Sequence, residues 1–297
     1  MKLVPVLPPL LGETTVSWIG RLARKHANVG SAEFLRMLEL SQKHVMETTI
    51  FCVDRLSTLT GVHGDRIAAC GVQRVGERTL QHRGHCFGAS FALRNHTTYC
   101  PACLLADSSS GSESQGVRVG RVAWLFRTVQ VCPEHRIELV RRANKSFAGQ
   151  FQDMYVVAPK NSELDAEAVN APIRDVSVMH EYTQNRFAGL AGSSWLDAQQ
   201  IDQGLRACEM IGACLLFGAH CELDKLGAGE VNEAGSVCFE MASKGVSGIR
   251  EAMDRIATSS FEAKPTGGPQ AAYGRLYQWL QFNKSKQDRG PIQEVVR

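Results

Sequence analysis

The sequence predicts a mainly α-helical protein interrupted by one small β insertion, and three observations carry that expectation. Capped segments with apolar residues at helical spacing occupy residues 14 to 68, similar segments return from Ser193 onward, and two short cysteine knuckles lie between them. The knuckles are Tyr99-Cys100-Pro101-Ala102-Cys103-Leu104 and Val131-Cys132-Pro133-Glu134-His135, with 28 residues between Cys103 and Cys132. Each brings two ligands of the right type onto one tight turn, and together Cys100, Cys103, Cys132 and His135 make a Cys3His set of the kind that holds Zn2+ tetrahedrally. Two knuckles fill all four positions and leave none for a substrate, so the expected ion, one Zn2+ per chain, is structural. The expected fold class is mainly α with a small zinc-ribbon-like β insertion. Its parts are an N-terminal helix-turn-helix bundle (1–85), a Cys3His zinc finger (86–145), a linker (146–192) and a second helical, helix-turn-helix-like domain (193–297).

In chain order, Leu3 to Leu11 forms an extended lead-in, because Pro5, Pro8 and Pro9 deny a helix. Thr14 caps the first helix, whose Trp18, Ile19 and Leu22 fall on one face. A second helix starts at Ser31, with Glu33 in its first turn and Phe34, Leu35 and Leu38 inward. A third runs through Ile50, Val53, Leu56 and Leu59 and closes at Thr60-Gly61, and Asp65 caps a short fourth containing Ile67 and Ala68. Helix, glycine turn and helix outline a helix-turn-helix, which serves either DNA recognition or protein docking. His26, His44, Cys52, His63 and Cys70 stand singly among these helices, as core or surface residues do.

Phe87, Ser90, Phe91 and Leu93 predict a short strand feeding Tyr99. His85, Cys86 and His96 stand close enough in sequence to replace His135 as fourth ligand. Asp107 to Gly116 is a polar Ser/Gly-rich loop, and Val117 to Val131 alternates enough for a strand, or a strand plus a short helix, with Trp124 and Phe126 in the core.

Residues 146 to 192 are weakly patterned, with Tyr155-Val156-Val157 the one strand candidate and the acidic residues around Glu163 to Glu167 suited to a solvated linker. Ser193 or Ser194 then caps a helix through Trp195, Ile201, Leu205, Met210, Ile211, Leu215 and Leu216. Residues 205 to 223 form the most apolar run, but Arg206, Glu209, His220 and Glu222 interrupt it, so it is a buried helix rather than a membrane span. Cys208, Cys214 and Cys221 have apolar neighbours and are core cysteines. A helix ending at Gly245 and another capped by Ser247, with Ile249, Met253 and Ile256 inward, make a second helix-turn-helix-like outline. Its face mixes Arg250 and Arg255 with Glu251 and Asp254, which suits protein as well as DNA. Residues 258 to 270 are a loop, and the last firm helix starts at Tyr273.

The formal charge of +3 hides an asymmetry: residues 1–65 carry 7 basic and 6 acidic side chains, residues 66–145 carry 12 and 5, and residues 146–297 carry 14 and 19. Three thiolates and Zn2+ sum to −1, so Arg118, Arg121, Arg127, Arg136, Arg141, Arg142 and Lys145 still leave the middle third able to meet phosphates. The 10 cysteines lack disulfide-type spacing and the start lacks a charged-then-apolar signal segment, an expectation of a reducing, cytoplasmic location.

Several of these residues together carry a resemblance. Pro8-Pro9, Gly12-Glu13-Thr14, Ser17-Trp18-x-x-Arg21-Leu22-Ala23, Leu59-Thr60-Gly61, the two knuckles with Asp107 and Leu139 after them, and Trp124 are similar, in order and spacing over residues 5 to 140, to the TniQ family. Its members, related to TnsD, select targets for bacterial transposons of the Tn7-like and Tn5053-like kinds. The resemblance implies a non-enzymatic, nucleoid-associated adaptor that binds a DNA site or a guide-RNA effector complex (Cascade-like) and recruits a TnsC-like AAA+ ATPase. The Pro-rich lead-in around Pro8, Pro9 and Trp18, which cannot cover itself with helical hydrogen bonds, is the candidate surface for that ATPase, and a hydrophobic staple on the first helix fits the same residues equally well. Several relatives carry a further Cys-x-x-Cys after the His knuckle; residues 139 to 151 here contain no cysteine. Longer relatives leave the completeness of the C-terminus at Arg297 open, and a homodimer is also left open.

Against an enzyme, the chain has no Gly-x-x-x-x-Gly-Lys-Ser/Thr phosphate loop and no Gly-x-Ser-x-Gly elbow, and the expected Cys3His set leaves no open metal position of the kind a zinc deaminase needs. Three functions therefore stand side by side: transposition adaptor, zinc-containing helix-turn-helix transcription regulator, and zinc-stabilised nuclease or other enzyme. Genomic neighbours, an AAA+ gene and a transposase, would separate them.

Overall fold

The structure is a computed structural model that describes residues 2–109, 118–144, 151–263 and 267–282, with Ile292 and Val295 beyond them. These form two compact units, Met1–Val176 and Ser177–Arg297. The protein is mainly helical, as expected.

The first unit opens with the extended lead-in and five helices: α1 (Thr15–Ala27), α2 (Ser31–Met37), α3 (Gln42–Met46), α4 (Ile50–Thr60) and α5 (Gly64–Ala68). Thr14 caps α1 by accepting from the Ser17 N–H at 3.1 Å. Gly61, at φ 71°, closes α4 in the left-handed conformation that glycine adopts without cost. Trp18, Ile19, Leu22, Phe34, Leu35, Leu38, Val53, Leu56, Leu59 and Ile67 share one core cluster, so the apolar spacing of the sequence is the packing of the bundle. Two details differ. α3 escapes a periodicity argument because five residues hold barely one turn; its start is set by a Ser41–His44 capping box. α5 is capped by His63 rather than Asp65, because Gly64 already begins the helix and leaves Asp65 in the first turn, where its charge meets the positive helix end.

After the bundle come β1 (Gln73–Arg74), β2 (Thr79–His82) and β3 (His85–Gly88), an antiparallel sheet in that order. Arg83 and Gly84, both at positive φ, make the two-residue turn between β2 and β3. β4 (His96–Tyr99) pairs antiparallel with β5 (Val140–Ala143), Tyr99 facing Val140. The single strand expected from Phe87 to Leu93 is divided: Phe87 ends in β3, Phe91 lies in a 3-10 turn, and the strand into Tyr99 starts at His96. The chain folds back there because Phe87, Phe91 and Phe126 pack together, ring centroids 5.4 to 5.7 Å apart. Residues 118–131 contain a 3-10 turn (Val122–Leu125) and isolated bridges rather than a strand. α6 (Pro101–Ser109) takes in Asp107, Ser108 and Ser109, which the sequence placed in a loop; residues 110–117 lie outside the described residues.

Tyr155-Val156-Val157 is helical, within α7 (Met154–Val157), and α8 (Asn161–Asn170) follows. The β-branched pair is overruled by a cap: the Asp153 carboxylate accepts from the Tyr155 N–H at 3.1 Å. The same carboxylate receives the Ser31 hydroxyl and lies 3.5 Å from Arg24. It sits so close to α1 that a Cβ added at Gly20 would lie 2.7 Å from its oxygen. The boundary between the units, at Val176 and Ser177, falls inside the 146–192 stretch, which is largely helical.

The second unit contains α9 (Val178–Ala188), α10 (Ser194–Asp197), α11 (Ile201–Phe217), α12 (Ala228–Ala242), α13 (Val246–Ala263) and α14 (Pro269–Phe282). α10 and α11 replace the one helix expected from Ser193 or Ser194 to Leu216. The Arg186 guanidinium binds the carbonyls of Leu196 and Gln199, at 3.3 and 3.2 Å, and holds the break. α11 and α12 approach so closely that a Cβ at Gly212 would lie 1.7 Å from the Ala234 carbonyl oxygen. Cys208 and Cys214 are buried in α11 and Cys221 is half-buried. Ser247 lies inside α13, which starts after Gly245 at φ 76°. Among the described residues no helix is long and apolar enough to cross a membrane.

Candidate metal centre

The β4–β5 ladder delivers Cys100 to the end of β4, and Pro101 then starts α6, its missing N–H falling where a helix has no use for one. Cys103 sits in the first turn, and its N–H points at the Cys100 sulfur, 3.5 Å away. The second knuckle is closed by Arg136, at φ 56°, with its N–H on the Cys132 carbonyl at 2.8 Å and the Cys132 N–H on the Ile137 carbonyl at 2.9 Å. The knuckles thereby converge. Cys103 Sγ lies 3.6 Å from Cys132 Sγ, and His135 Nδ1 lies 3.7, 3.4 and 3.5 Å from the sulfurs of Cys100, Cys103 and Cys132. All four ligand atoms fall within 4.8 Å of one another.

Those distances have a chemical meaning. Tetrahedral Zn–S bonds of about 2.3 Å and a Zn–N bond of about 2.0 Å require S···S edges of about 3.8 Å and S···N edges of about 3.5 Å. The residues present fit such an ion, with His135 offering Nδ1. All three cysteines are buried and His135 is half-buried. Hydrogen bonds from Cys100 and Cys103 hold the Cys132 thiol well below the usual range, while its bonds to Cys100 and Cys132 push Cys103 up. Thiols crowded this way suit a cation that replaces their protons. Arg121 stands behind the cluster. Its guanidinium bonds both oxygens of Asp107, at 3.1 and 3.0 Å, and stacks 4.7 Å over the Trp124 ring. Asp107 also accepts from the Val119 N–H at 3.0 Å, fixing the chain on both sides of the 110–117 segment.

The alternative ligands stay apart from this set. Cys86 is exposed beside Gln81, and His96 turns Nδ1 to the Asn95 side chain at 2.9 Å. His85 pairs with His82 across the β2–β3 turn.

The basic residues singled out in the sequence are held in several ways. Arg118 bonds the carbonyls of Ala158 and Pro159 and the Asn161 side chain. Arg141 bonds the carbonyls of Arg127 and Val129, at 3.1 and 3.0 Å. Arg142 reaches Glu163 and Glu167 on α8, and Glu167 also accepts from the Tyr99 hydroxyl at 3.0 Å. Arg127 is half-buried. Arg136 is exposed and lies 3.1 Å from Asp175. Lys145 lies outside the described residues. Of the lead-in candidates, Pro8 is exposed, Pro9 buried and Trp18 fully buried, its indole N–H donating to the Leu7 carbonyl at 2.7 Å.

What the sequence reading missed is the pair that holds the lead-in. Glu13, fully buried, receives the Ser17 hydroxyl, the Leu10 N–H and two nitrogens of Arg21, which also donates to the Pro8 carbonyl at 3.0 Å. Its signal was the eight-residue spacing of Glu13 and Arg21, two turns of helix from the cap.

A capped helical bundle is tied by short strands to a cluster of four ligand atoms whose spacing fits one tetrahedral metal ion. The sequence model of the TniQ family matches residues 4–139, a span that contains the bundle, the first sheet and all four ligands. The match covers 136 of the chain's 297 residues, and this part of the chain is similar to the TniQ family. No curated protein matches the chain significantly.

Proposed function

We propose that the chain is a target-selection adaptor for transposition. In this reading it binds its target, either a DNA site or a guide-RNA effector complex, and recruits an AAA+ regulator that licenses the transposase. It carries one structural Zn2+ on Cys100, Cys103, Cys132 and His135 and has no catalytic role. The observation that carries the reading is the match of residues 4–139 to TniQ over a span whose only ligand cluster, among the described residues, is closed to substrate. Zn2+ would supply tetrahedral cross-linking of the two knuckles and nothing further.

In this reading the basic residues divide by what already holds them. Arg118, Arg121 and Arg141 are committed to carbonyls or to Asp107, so they position the metal-bearing segment. Arg136 and Arg142 reach solvent and can exchange their carboxylates for phosphate oxygens. Arg78, exposed beside the β2–β3 hairpin, adds to that side of the argument. The lead-in serves the ATPase through its exposed Val4, Val6, Leu10 and Leu11 rather than through Trp18. The test is co-purification of the cognate AAA+ regulator with tagged chain on target DNA and ATP. Capture supports the adaptor role; no capture while target binding persists rejects it.

A further inference from the structure

We propose that the cavity beside the N-terminus of α1 binds a small inorganic anion of halide size. The cavity has a volume of about 50 Å3 and is lined by Thr15, Thr48, Arg94, Thr98, Arg121 and Gln152, among others. The space is small, with room for a halide or a few waters.

Its charges are unbalanced. Arg94 is half-buried, and its Nη2 donates to the Val72 carbonyl at 2.8 Å. Among the described residues no carboxylate lies within ion-pair distance of it, and burial pulls its pKa down. The acidic groups nearby are already taken: Glu47 by Arg74 at 2.8 Å, Asp107 by Arg121 at 3.0 Å and Glu13 by Arg21 at 2.7 Å. A half-buried cation without a counter-charge carries a desolvation cost, and an anion at its side offsets it. A second observation is independent of charge. The Thr98 hydroxyl, on a residue 2% exposed, makes no hydrogen bond within the protein. The Thr15 hydroxyl, 3.4 Å from that of Thr48, adds one more rotatable donor, while the Thr48 hydroxyl donates to the Val45 carbonyl at 3.3 Å. α1 is 13 residues long and presents its positive end here.

An anion at this point would join α1, the turn after α3, β4 and the segments around Arg121 and Gln152, and so tie the helical bundle to the metal-bearing part of the same unit. The inference is independent of the adaptor role. Thermal unfolding of the full-length, metal-loaded protein tests it, in sodium bromide against sodium gluconate at equal ionic strength. Wild type should show a saturable rise in Tm with bromide, of a few degrees at a hundredfold excess over Kd. Thr98→Val should weaken the response and Arg94→Met abolish it, and crystals grown in bromide should show its anomalous signal between Arg94 and Thr98. Phosphate, which is larger, should give no specific rise. If Arg94→Met does not fold, Thr98→Val and the anomalous signal decide. Equal Tm values in bromide and gluconate, or bromide found on the surface alone, would show a merely hydrated cavity and overturn the proposal.

Discussion

Glu13 and Arg21 form a side-on ion pair inside the first unit, with Arg21 Nε at 2.8 Å and Nη2 at 2.7 Å from the two carboxylate oxygens. The pair joins the extended lead-in to α1, and a buried charge left without its partner costs about 3–5 kcal/mol. Glu13→Gln and Arg21→Met should each destabilise by that order in urea unfolding, and the double variant should lose less than the sum. Additive losses would mean that the two side chains act separately.

The metal centre predicts a local collapse. Cys103→Ser removes one of four ligands from a cluster that closes a 28-residue span, so Zn2+ should fall to well below one per chain and amide exchange should rise across residues 95–140. Elemental analysis of wild type purified without chelator should give one zinc per chain. Absence of zinc there would remove the metal from the account.

A pH dependence follows from His82. Burial holds its pKa at about 4, and its Nδ1 lies 2.8 Å from the Gly71 carbonyl, so the ring is neutral in the fold. Its pKa in the unfolded chain is near 6.5, so the unfolded state takes up the proton first as pH falls. Stability should be complete above pH 6.5, decline between 6.5 and 4, and lose about 3 kcal/mol from this group once below 4. His82→Gln should remove that component from the pH profile of unfolding. An unchanged profile would place the titration elsewhere.

Gly20→Ala sets a methyl group within 2.7 Å of the Asp153 carboxylate, which also receives Ser31 and faces Arg24. Overpacking of that kind costs about 1–3 kcal/mol. Thermal unfolding of the variant should report it, and neutral behaviour would mean that α7 and α1 can part without penalty.

These residues also mark how far the sequence could be followed. The Thr14 cap, the Gly61 stop and the two knuckles are local signals, each decided within a few residues, and each reappears in the structure. α7 reads as a strand from Tyr155-Val156-Val157 because the sequence does not show that Ser31 and Arg24 hold Asp153 where it caps the Tyr155 N–H. The break between α10 and α11 likewise depends on Arg186. The arginines show the same limit most plainly. Sequence displays their charge but not whether a guanidinium ends on a carbonyl, as Arg141 does, or beside a surface carboxylate, as Arg136 does.

The central claim is that this chain decides where a transposon lands. The most direct measurement is deep sequencing of insertion sites in cells carrying the transposase and the AAA+ regulator, with wild-type chain, with Cys103→Ser, and without the chain. The account predicts insertions clustered at one fixed distance from a target with wild type, and dispersed or lost in the other two. An identical insertion distribution in all three would contradict it.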